Sequence, residues 1–141
     1  YYLSADEFMK KYNDDSRKYG ETYGRGVFDH SFVTKAPSEE TIIPVENING
    51  TIALYAVKKD TDWDSEGGIR KIEERLKVKG FTHPVKTTIY EHGTHFLFPE
   101  GVPFVDLIGK LQHKEPRQYP KECRETRRDI DRKLHNVFRN W

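Results

Sequence analysis

A chain of 141 residues is one domain's worth of length and can bury a modest core. With 35% hydrophobic, 33% charged and 13% aromatic residues, it reads as a folded, soluble chain and not as a disordered one. The net charge of +1 gives no global electrostatic case for nucleic acid, and no apolar run approaches the roughly 20 residues that span a bilayer.

The chain opens Tyr1-Tyr2-Leu3, with no Met and no signal pattern, so a native start at Tyr1 is not expected; processing, truncation or missing preceding residues would each explain it. Residues 1–41 read as a polar, tyrosine-rich segment of helix and loop. A helix is predicted near Ser4–Tyr12, with Ser4 as N-cap and Glu7 at the capping-box spacing. Leu3, Phe8 and Tyr12 share one face of it. Residues 13–24 read as loop, Val27–Val33 as a short extended piece, and Thr34–Glu40 as a connection.

Residues 42–141 read as an α/β unit. Thr51–Val57 is a continuous apolar run after the Asn49-Gly50 turn, which fits a strand covered on both faces. Ser65 caps a predicted helix to Lys79, with Ile69, Ile72 and Leu76 at helical spacing, a Glu73–Lys77 pair and Gly80 as the stop. Pro84–Tyr90 alternates as a second strand. Strand, helix, strand over this length is a parallel crossover. Pro99–Pro120, with its several prolines, reads mostly as loop. Lys121–Trp141 is an amphipathic helix with Ile130, Leu134, Val137, Phe138 and Trp141 on one stripe. Two such strands make an incomplete sheet, so an open edge is expected to pair with upstream residues or with another chain.

Asp60 and His95 follow the two strands by three and five residues. In a parallel sheet both strand ends lie at one edge, where α/β enzymes place their chemistry. A carboxylate there can fix the tautomer of an imidazole, whose other nitrogen takes a proton from a nucleophile. The order nucleophile, acid, histidine is that of the α/β-hydrolases. Position alone leaves open the plainer reading of a turn aspartate and a surface histidine.

Four stretches add a resemblance. Ile43-Pro44-Val45-Glu46, leading through Gly50 into the strand, resembles the strand entry of the acyl-CoA thioester hydrolases and bile acid-CoA:amino acid N-acyltransferases. Lys58-Lys59-Asp60-Thr61-Asp62-Trp63-Asp64-Ser65 resembles their Lys-Asp-Asp-x-x-Trp-x-Ser. Ile72–Phe81 resembles the helix that follows, and Tyr90-Glu91-His92-Gly93-Thr94-His95 their Tyr-Glu-x-x-Gly-His turn. The resemblance covers residues 42–98 and implies the C-terminal portion of an α/β-hydrolase fold, with Asp60 as the acid and His95 as the base. It implies an acyl-CoA or ester substrate, attacked through a Ser or Cys nucleophile. Val57, Lys59 and Thr94 depart from the family's Gly, Asp and Gly. No Gly-x-Ser-x-Gly or Gly-x-Cys-x-Gly occurs among the 141 residues, so the chain alone is expected to be inactive. A carboxylesterase or dienelactone-hydrolase relative is a rival within enzymes; a non-catalytic module that associates with another chain is the rival outside them.

Trp63 and Phe96 are candidate substrate contacts, against plain packing. Phe96 with Leu97, Phe98, Val102, Phe104 and Val105 raises the same choice, between contact with an acyl chain and cover for the sheet edge. Asp60 with Asp62, or His92 with His95, could form a metal set, but two turn histidines with no third ligand argue against it. No metal and no cofactor is expected. Asn49-Gly50-Thr51 matches a glycosylation sequon but reads as a turn. Arg124, Arg127, Arg128 and Arg132 read as an ordinary solvated face, since residues 110–141 interleave ten Lys/Arg with five Asp/Glu. Cys123, the single cysteine, cannot form an internal disulfide and suits a reduced, cytoplasmic setting.

Overall fold

Parallel pairing of two strands organises the molecule. The computed structural model describes residues 3–34, 38–97, 102 and 104–139. Strand β1 (Ile52–Val57) pairs with β2 (Val85–Tyr90), in a register that runs from Ile52 opposite Val85 to Val57 opposite Tyr90. The helices are α1 (Ala5–Tyr19), α2 (Arg25–Thr34), α3 (Ser65–Val78), α4 (Val105–Gln112), α5 (Glu115–Gln118) and α6 (Pro120–Arg139). This is an α/β arrangement that fits part of an α/β-hydrolase C-terminal domain.

Alternate residues of β2 face opposite layers. Thr87 donates its hydroxyl to Glu73 of α3 at 2.6 Å. Tyr90 donates to Asp129 of α6 at 2.8 Å, and Lys133 of α6 donates to Thr88 and Tyr90 at 3.3 Å. The sheet therefore lies between α3 and α6, as the period-two alternation of a strand requires. Ile52, Ala56 and Val57 of β1 are buried, with Ile69 and Leu76 of α3 and Cys123 and Ile130 of α6.

Local chemistry sets the helix ends. Ser4 and Glu7 form the predicted capping box, and Gly20 closes α1 in the left-handed region (φ 66°). Helix α1 nevertheless runs to Tyr19, past the expected end at Tyr12; the polar residues 13–19 are held by pairs such as Lys11–Asp15. Val27–Val33 is helix and not an extended piece, because Val27 and Phe28 donate back to the carbonyl of Gly24. Asp64, not Ser65, is the N-cap of α3, accepting from Gly67 N–H. Gly80 follows α3 at φ 68°, the expected stop. The segment read as proline-rich loop carries α4 and α5, with Pro116 at the start of α5, where a missing N–H costs nothing. On α6 Ile130 is buried and Phe138 is exposed; Phe98 and Trp141 lie outside the described residues. Glu73 is engaged with Arg70 as well as Thr87.

The N-terminal helices are tied to the rest by backbone. Gly24 and Arg25 N–H both donate to the Thr61 carbonyl at 2.9 Å, and Thr22 N–H donates to Gln112 at 2.8 Å. Among the described residues no helix is long and apolar enough to cross a membrane.

Asp129 couples this packing to pH. The Lys133 ammonium, and then the Tyr90 hydroxyl, hold its carboxyl down at about 2. The unfolded value is roughly 3.9. The group therefore adds stability that is complete above that value and lost as pH falls through 2. Acid unfolding followed by circular dichroism should show Asp129→Asn lacking this component between about pH 4 and 2.

Candidate active site

The loop leaving β1 and the turn leaving β2 emerge at the same sheet edge. Asp60 is 3% exposed. Its Oδ1 accepts from the N–H groups of Asp62 (2.9 Å) and Trp63 (3.3 Å), a turn that aspartate builds from its own downstream backbone. Its Oδ2 lies 3.1 Å from Nδ1 of His95. An ionised carboxylate only accepts, so with Asp60 in that form Nδ1 donates, and the neutral ring then carries its lone pair on Nε2. The side chain of His95 is 34% exposed, that of Asp60 only 2%. The ring lies between Trp63 and Phe96, at centroid distances of 5.6 and 5.3 Å, both edge-on.

The His95 turn is fixed from three sides. A Cβ on Gly93 would stand 2.5 Å from Cγ1 of Val57, so the turn lies directly on the end of β1. His92 Nδ1 is 2.6 Å from Oε1 of Glu115, its ring lies tilted against that of Tyr119 with centroids 4.3 Å apart, and its carbonyl accepts from the Thr126 hydroxyl at 2.6 Å. Lys58 and Glu91 join the two loops by an ion pair at 2.6 Å. His92 thus faces α5 and α6, away from the set in which it was considered as a ligand with His95.

Asp60, Asp62 and His95 each offer one ligand atom, all within 4.8 Å of one another. Burial raises the Asp62 carboxyl above its ordinary value, and its Oδ2 is buried without a hydrogen-bond partner among the described residues.

His113, between α4 and α5, is 1% exposed, with Nδ1 at 3.1 Å from the Thr61 hydroxyl. Burial lowers its pKa. Nothing in the sequence marked Thr61 or His113; the histidine stands in a segment that reads as loop.

Phe96 and His113, with Leu97, Val105, Ile108 and Arg127, line a cavity of about 30 Å³. Val102, Phe104 and Val105 face Arg124, Arg127 and Arg128 across an open groove of about 340 Å³. Arg127 is not a solvated side chain as expected: it is 9% exposed and pairs with Asp106, which also holds Arg124 at 3.1 Å. Cys123 is buried, and desolvation, helped by the charge of Glu115, pushes its thiol up to about 11. It stays protonated at neutral pH and is a poor nucleophile.

The family model described as BAAT / acyl-CoA thioester hydrolase C terminal matches residues 8–125, most of the chain. The chain belongs to that family. Comparison with curated proteins and with solved structures gave no match. Membership places the chain among acyl-CoA thioester hydrolases and acyltransferases, and the match reaches further toward the N-terminus than the motifs around residues 42–98.

Where relatives were expected to carry Gly and Asp, Val57 fills the space over Gly93, and Lys59 approaches Glu115 at 3.7 Å. Gly93→Ala should cost about 1–3 kcal/mol in urea unfolding, as overpacking does, and Val57→Ala in the same chain should recover most of that loss.

Proposed function

We propose that the chain contributes the acid, Asp60, and the base, His95, of a serine- or cysteine-dependent acyl-CoA thioester hydrolase. The observation that carries this reading is the hydrogen bond of 3.1 Å between Asp60 Oδ2 and His95 Nδ1, made by a carboxylate whose other oxygen is already occupied. With Nδ1 engaged, Nε2 accepts the proton of a Ser hydroxyl or Cys thiol. The activated oxygen or sulfur attacks the thioester carbonyl, and the imidazolium returns its proton to the departing thiolate. Water or an amine, deprotonated by the same nitrogen, then releases the acyl group and regenerates the nucleophile. The edge contacts of Trp63 and Phe96 with the imidazole support a role for both as substrate contacts beside it.

The nucleophile comes from a polypeptide outside these 141 residues. The open sheet supports this, because β1 and β2 each keep one edge unpaired by any strand among the described residues. An exposed apolar stripe on and before α4 supports it too: Phe104, Leu107, Ile108 and Leu111 lie at helical spacing. A strand added alongside the sheet would bring its own loop to the edge that holds Asp60 and His95.

Two measurements test this. A fluorophosphonate probe should leave the 141-residue chain unlabelled and label a form joined to a nucleophile-bearing segment. In that form His95→Ala or Asp60→Asn should lower kcat by about ten-thousandfold; labelling of the isolated chain would overturn the assignment. Sedimentation velocity of the isolated chain should show self-association rising with concentration, and a clean monomer throughout would count against the open edge.

A further inference from the structure

We infer that Thr61 and His113 are positioning residues for the Asp60–His95 pair, holding the aspartate turn so that Oδ2 faces the imidazole. The inference rests on the proposed roles of Asp60 and His95, but its geometry is separate from theirs. The direction of the Asp60 carboxylate is set by the turn 60–63, because Oδ1 is held by the N–H groups of Asp62 and Trp63. That turn has no strand to keep it in place. Thr61, inside it, is gripped at both ends: its carbonyl receives Gly24 and Arg25 N–H, and its hydroxyl meets His113 Nδ1 at 3.1 Å.

His113 is itself immobilised. Its N–H donates to Gly109 at 2.9 Å, closing α4, and its carbonyl accepts from Arg117 Nε at 3.2 Å. It is the largest of the fully buried side chains among the described residues. A buried imidazole whose Nε2 finds no partner among the described residues is costly if its only role is packing. Its ring also lies 6.3 Å from that of Phe96, which in turn lies edge-on to His95. His113 therefore reaches the pair by two routes: through Thr61 to the acid, and through Phe96 to the base.

Through that turn the hydroxyl of Thr61 biases which nitrogen of His95 holds the proton. The probe is the pair of ¹⁵N shifts of the neutral His95 ring in the full 141-residue chain, which report the tautomer directly. The parent should show the Nδ1–H form, and Asp60→Asn should abolish that preference. Thr61→Val, nearly isosteric, and His113→Asn should each lower the ratio of Nδ1–H to Nε2–H by up to about tenfold, the worth of one neutral hydrogen bond. Thr61→Ser, which keeps the hydroxyl, should restore the parent shifts. A purely structural role would move the melting temperature and leave the tautomer alone. If Thr61→Val is folded with unchanged ring shifts, the inference is wrong. If the parent itself lacks the Nδ1–H form, it is the Asp60–His95 assignment that fails first.

Discussion

Parallel hydrogen bonding between Ile52–Val57 and Val85–Tyr90 is the constraint on which everything else turns. It sends two chains out of the sheet in one direction and one strand spacing apart. A loop of three residues then reaches Asp60, and a turn of five reaches His95. An antiparallel pair would have put these residues at opposite ends of the sheet. The crossover helix α3 is what makes parallel pairing possible, since the chain must return to its starting end before β2 can run alongside β1.

Around that pair the chain builds two supports of different kinds. The His95 turn is locked by packing and charge, with Gly93 against Val57, His92 against Glu115 and Tyr119, and Thr126 on the carbonyl of His92. The Asp60 turn is held by hydrogen bonds converging on Thr61 from the start of α2 and from the α4–α5 junction. Residues distant in sequence, Gly24 and His113 among them, thus bear on one carboxylate.

The parts legible in the sequence were those carried by periodicity or by a short motif. The apolar run of β1, the alternation of β2, the Ile69–Leu76 stripe and the Ser4–Glu7 cap each encode their structure locally. The meeting of Asp60 and His95 at one end of the sheet was legible because a strand ends just before each of them. What could not be read was held by distant contacts. Residues 13–19 are polar without an apolar stripe, and become helix through side-chain pairs and the Gly20 cap. Helix α4 has helical apolar spacing at Leu107, Ile108 and Leu111, but the prolines around it mask the pattern. His113 carries no local signal at all, since its significance lies in meeting Thr61 across 52 positions of chain.

The unequal exposure of the two partners sets a direction of approach. The carboxylate is sealed on every side, while about a third of the imidazole surface stays open between two aromatic edges. Access from solvent is therefore to the imidazole and not to the aspartate: the open part of the ring is flanked by Trp63 and Phe96, and the carboxylate lies behind it.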